Sequence, residues 1–142
     1  MTVQLIDIYR RNKFLFKNKS EEIWVGIEEL EESLSLDIPF AIITAWNPMN
    51  RELSEAENKI LNHKLEDDLK ALKYEYEGTV GKCDEHKEDS FIVYRISKND
   101  ALSLGMKYEQ YSIFYNSYHF LEYIECQTKK VLLKSSKIED IS

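Results

Sequence analysis

Glycine is scarce in this 142-residue chain, with 4 copies, and proline scarcer still, with 2. Neither G-x-G-x-x-G nor G-x-x-x-x-G-K-[ST] occurs, so the two common glycine-rich phosphate cradles are excluded. Long flexible linkers, which need such residues, are excluded with them. Two cysteines, Cys83 and Cys126, are too few for a disulfide scaffold and imply a reducing compartment. No apolar run approaches the roughly 20 residues of a membrane-spanning helix. The first seven residues carry an early acid, Asp7, where a signal peptide needs an apolar stretch. The expectation is a cytoplasmic protein with no membrane partner and no cofactor.

What is present suits a packed globule. Hydrophobic residues make up 43% of the chain and aromatic residues 12%, including 9 tyrosines. Tyr favours strands, and its polar tip also suits a groove rim. The length is near the commonest size of one domain. We expect one α+β domain over residues 1–126 and a partly ordered tail over 127–142. Net charge is −7, with bases gathered at the start (Arg10, Arg11, Lys13, Lys17, Lys19) and seven acids and no base over residues 21–37. An acidic total opposes long-range attraction to nucleic acid, which is disfavoured as a partner.

Residues 3–9 fit a short helix or an opening strand. Phe14–Phe16 and Ile23–Ile27 read as strands, and Glu28–Leu36 as one or two helical turns. Phe40–Trp46, an apolar run broken by Thr44 alone, is the best candidate for a central strand buried on both faces. Asn47-Pro48 turns the chain. Ser54-Glu55-Ala56-Glu57 is a capping box, opening a helix that runs to about Lys73. Leu61, Leu65, Leu69 and Leu72 share its buried quadrant. Tyr74–Val80 and Ser90–Ile96 read as strands around a charged loop at Gly81–Lys87. A second N-cap at Ser97 starts a short helix. Tyr111–Tyr115 and His119–Cys126 suggest a hairpin, with Val131–Leu133 as an edge strand. The expected fold is a single mixed or antiparallel sheet of about five strands, with one long and one or two short helices mainly on one face.

The long helix contains an inconsistency. Asn58 falls between Leu65 and Leu69 on the helical wheel, and Asn62 sits one turn on. A buried amide without partners costs about 1–3 kcal/mol, so Asn58 must bond either to the Asn47–Asn50 turn or to something brought in. Thr44, at the end of a buried strand, would join Asn47 and Asn58 in a polar cluster at a strand's carboxyl end. Cys83 and His86 have a C-x2-H spacing, but zinc would need two distant ligands such as His119 and Cys126. An exposed charged loop is the simpler account, and no metal site is expected. Glu88 and Ser90 share a strand face and are the better acid–base pair there, with ordinary solvation as the alternative.

Ile43-Thr44-Ala45-Trp46-Asn47-Pro48, then Ser54-x3-Asn58-x3-Asn62, Gly81, Glu88-x-Ser90-Phe91, Ala101 and Gln110 resemble the bacterial DUF3293 family over roughly residues 40–115. The chain departs from the family pattern at Lys87, where an aromatic is usual, and at Glu109, where a glycine commonly precedes the glutamine. No activity is established for the family, so the resemblance implies no catalytic residue. It implies a polar ligand-binding set: Thr44, Asn47, Asn58, Asn62, Glu88, Ser90 and Gln110. Amides read donors and acceptors well and move protons poorly. The set therefore favours a binding or regulatory module for a small molecule or protein partner. Two alternatives stand beside it. One is a small enzyme with Glu88 as acid–base group. The other is an acidic inhibitor or immunity-type protein that turns residues 21–37 towards a basic partner.

Overall fold

Among the described residues, β-branched and aromatic side chains recur in eight short stretches, and each forms a strand. The computed structural model describes residues 12–18, 21–26, 38–83, 86–117 and 121–134. For residues 12–18 and 21–26, and for Asn50, Lys82, Cys83, His86, Leu133 and Lys134, it describes the backbone alone. The strands are β1 (Asn12–Asn18), β2 (Glu21–Gly26), β3 (Phe40–Ile43), β4 (Glu75–Cys83), β5 (His86–Tyr94), β6 (Ser112–Asn116), β7 (Leu121–Glu125) and β8 (Val131–Lys134). They form one sheet in the order β2-β1-β4-β5-β3-β6-β7-β8. Every pairing is antiparallel. Among the described residues two α-helices, α1 (Glu55–Ala71) and α2 (Lys98–Lys107), join the sheet in an α+β fold. The strand count exceeds the expected five. The expectations for residues 3–9 and 28–36 lie outside the described residues.

Strand parity sorts the core. Ala41 and Ile43 of β3, Val93 of β5, Ile113 and Tyr115 of β6 and Ile124 of β7 pack with Leu65 and Leu69 of α1 and with Ala101, Leu102 and Leu104 of α2. Both helices thus cover the same face. Phe40, Ile42, Ile92, Phe114 and Leu121 form a second buried cluster on the other face. β3, between β5 and β6, is buried on both faces, as its unbroken apolar run predicts. Burying Leu65 or Leu69 contributes about 1.5–3 kcal/mol each.

Three expectations are corrected. β3 stops at Ile43, not Trp46, because side chains and not a neighbouring strand take the two amides after Thr44: Asn62 Oδ1 accepts that of Ala45 and Thr44 Oγ1 that of Trp46. Gly81–Cys83 and His86–Lys87 are strand and not loop: β4 runs on to Cys83 and β5 begins at His86, in an unbroken register from Glu75↔Tyr94 to Cys83↔His86. Leu72 is exposed, because α1 ends at Ala71 and Lys73 (φ 63°) turns left-handed. There the Tyr74 amide donates to Leu69 O at 3.1 Å, a Schellman closure.

Candidate functional site

The start of α1 is fixed by its capping box: Ser54 Oγ accepts the Glu57 amide at 3.1 Å, and Glu57 reaches back to Ser54. This sets the helical phase, and the phase turns Asn58 and Asn62 inward among Leu65 and Leu69. The Asn58 amide closes on the preceding turn. Its Oδ1 accepts from the Asn47 amide at 2.7 Å, and its Nδ2 donates to Asn47 Oδ1 at 2.8 Å and to Leu53 O at 3.4 Å. Asn47 Oδ1 also accepts the Leu53 amide at 3.0 Å. Such clamping matters because Asn47 (φ 45°) and Met49 (φ 53°) are both left-handed. Asn tolerates that region; a methionine is strained in it and must be held by its surroundings.

The far support of this turn is the end of α2. Glu109 (φ 54°) is the left-handed residue of another Schellman closure, in which the Gln110 amide donates to Gly105 O at 2.8 Å. That position favours glycine, because a left-handed residue with a Cβ is strained. The bend aims Glu109 O at the Met49 amide, 2.7 Å away, and lets Gln110 Nε2 donate to Trp46 O at 3.1 Å. Arg51 bridges to the Glu109 carboxylate at 2.9 Å.

Asn62 works differently. Its Oδ1 accepts the buried Ala45 amide at 2.8 Å, and its Nδ2 donates to Asp89 O at 2.7 Å. The Thr44 hydroxyl donates to the same Asp89 carbonyl at 2.6 Å and accepts the Trp46 amide at 3.1 Å. Asn62 Nδ2 carries two N–H groups, and the second has no acceptor among the described residues. Asn62 also lines a groove of about 550 Å³ between α1 and the β4–β5 hairpin. Lys59, His63 and Glu66 wall it with Asn62, at the i, i+3, i+4, i+7 spacing of one helix face. Gly78 and Phe91 line the sheet side. Tyr76 stands edge-on to Phe91, with centroids 5.6 Å apart, and donates to Glu66 Oε2 at 2.9 Å.

On the opposite flank of α1, a hollow of about 450 Å³ faces the end of α2. Asp68 there accepts from Lys107 Nζ at 2.8 Å and from the Tyr108 hydroxyl. Burial works to raise the Asp68 carboxyl, but these bonds outweigh it and leave it below the usual carboxylate range. Burial and the adjoining Asp68 push the Tyr108 phenol upward. Tyr74 and Tyr94 likewise donate to Asp100 and Glu77. Carboxylate pairing therefore accounts for four of the tyrosines, Tyr74, Tyr76, Tyr94 and Tyr108.

Of the polar set drawn from the sequence, Thr44, Asn47, Asn58, Asn62 and Gln110 converge on residues 44–53. Ser90 lines the groove with Asn62, but the side chains of Glu88 and Ser90 do not join the turn. In the regular β5 register they share the parity of Ile92, whereas Phe91 and Val93 face the helices. Ser90 is buried there, with its hydroxyl donating to Glu88 O at 3.4 Å. The side chains of Cys83 and His86, and all of His119, lie outside the described residues. Cys126 is buried, and that burial pushes its thiol up to about 11. Among the described residues no cluster of His, Cys, Asp and Glu is arranged to hold a metal ion, and no helix is long and apolar enough to cross a membrane. The sequence reasoning missed Gly78, Phe91 and Glu66. The available signals were a mid-strand glycine in Glu75–Cys83 and the shared face of Lys59, Asn62, His63 and Glu66.

The class defined here is a single-sheet α+β protein with a doubly braced turn beside a helix–hairpin groove. The chain belongs to the DUF3293 family, described as a protein of unknown function, whose sequence profile matches residues 43–113. That span encloses the turn, all of α1 and the groove. No curated protein and no solved structure matches the chain.

Proposed function

We propose that this protein is a ligand-binding module whose site is the groove between α1 and the β4–β5 hairpin. One observation carries the proposal: Gly78 sits in mid-strand with no backbone reason to be glycine. Its φ is not left-handed, no bulge interrupts β4 there, and a Cβ built on it meets nothing within 4 Å. A glycine inside a strand costs about 0.5–1 kcal/mol relative to alanine. Where neither a bulge nor a bend needs it, it marks close approach by another molecule. Phe91 lies directly across from Gly78 and packs against Tyr76, leaving the space over Gly78 open.

On this account the turn at residues 44–53 is the scaffold. It holds Thr44 and Asn62 on Asp89 O and so fixes one end of the groove. The test is a thermal-shift screen of nucleosides, amino acids and small carboxylic acids against wild type and Gly78→Leu. We expect Gly78→Leu to fold at least as stably as wild type, and at least one compound to raise the Tm of wild type alone. Equal shifts in both proteins, or no shift in either, would contradict the proposal.

A further inference from the structure

The lining of the groove narrows the chemistry of its occupant. We infer that it takes a planar, hydrogen-bonding heteroaromatic ring of the nucleobase class, an inference that rests on the binding role proposed above. The floor is flat because Gly78 contributes only its peptide plane, directly opposite Phe91. Two polar groups overlook it from adjacent turns of α1. Asn62 is nine-tenths buried and offers the N–H that no described residue accepts. Glu66 offers Oε1, since Tyr76 occupies Oε2 and His63 Nδ1 stands 3.9 Å from Oε1, beyond hydrogen-bond distance. Side chains at i and i+4 stand roughly 6 Å apart. A donor and an acceptor at that separation answer two different functions on one molecular edge: a ring carbonyl or imine nitrogen, and a ring or exocyclic N–H.

The other ligand chemistries fit less well. A carboxylate or phosphate would meet Glu66 and Asp89, both lining the groove, while Lys59 at its rim is already paired with Glu55 at 3.1 Å. An aliphatic ligand would desolvate Asn62 and Glu66 without satisfying either. A planar ring meets both groups along its edge and lays its face on the Gly78 peptide beside Phe91. The charge pattern further implies that an uncharged base or nucleoside binds better than the corresponding 5′-monophosphate.

Titration calorimetry of the full chain tests this, using adenosine, guanosine, cytidine and uridine, their 5′-monophosphates, and cyclohexanecarboxamide as a saturated control. We expect at least one nucleoside to bind, its monophosphate to bind at least threefold more weakly, and the saturated control not to bind. Gly78→Leu should abolish nucleoside binding, and Glu66→Gln should weaken it about tenfold. If no nucleoside binds, or the saturated amide binds equally well, the ring inference is overturned. In the second case, continued sensitivity to Gly78→Leu would leave the groove standing as a binding site. Nucleoside binding that Gly78→Leu leaves unchanged would overturn both the inference and the proposal beneath it.

Discussion

Asn58 and Asn62 are the same residue type, one turn apart on the same buried stripe of α1, yet they do different work. Asn58 spends its Oδ1 and both N–H groups on the Asn47–Leu53 turn. Asn62 fastens Ala45 and Asp89 and keeps one N–H beside the groove. The difference teaches that a buried amide is not in itself a sign of a ligand. What distinguishes the two is how many of their donors the protein itself consumes.

Exchanging each amide for a carboxylate sharpens this comparison most. Asn58→Asp removes two buried donors and sets a carboxylate against the Asn47 and Leu53 oxygens, so we expect a loss of about 4 kcal/mol. Asn62→Asp keeps the acceptor for the Ala45 amide, and Asp89 O keeps the Thr44 hydroxyl, so about 2 kcal/mol is expected. Urea denaturation measures both losses, and equal values would erase the distinction. A smaller effect of opposite sign is expected at the other support of the turn. Glu109→Gly relieves a left-handed glutamate and should stabilise by about 1 kcal/mol. The lost bridge to Arg51 offsets little of that, because both side chains are more than half exposed. A destabilised Glu109→Gly protein would mean that the ion pair, and not the backbone bend, holds the turn.

Local patterns made part of this legible in the sequence. The capping box fixes the helical phase of α1, and that phase alone places Asn58 between Leu65 and Leu69. The run Phe40–Ile43 announced a strand buried on both faces. Longer-range features were not legible. Ser90-Phe91-Ile92-Val93-Tyr94 is apolar at both parities after Ser90, so the pattern could show that Glu88 and Ser90 share a face but not which face. Whether Gly78 is a weak point or an opening depends on Phe91 across the ladder and on α1 overhead, neither of which its neighbours in sequence encode. The tyrosine partners are equally remote: Tyr108 meets Asp68 and Tyr74 meets Asp100 only once the sheet has assembled.

Side-chain amide NMR of the unliganded protein looks directly at the donors on which the account turns. It predicts two hydrogen-bonded Nδ2 protons for Asn58, against one bonded and one water-accessible proton for Asn62. An Asn62 amide with both protons bonded, or an Asn58 amide with one open to water, would contradict it.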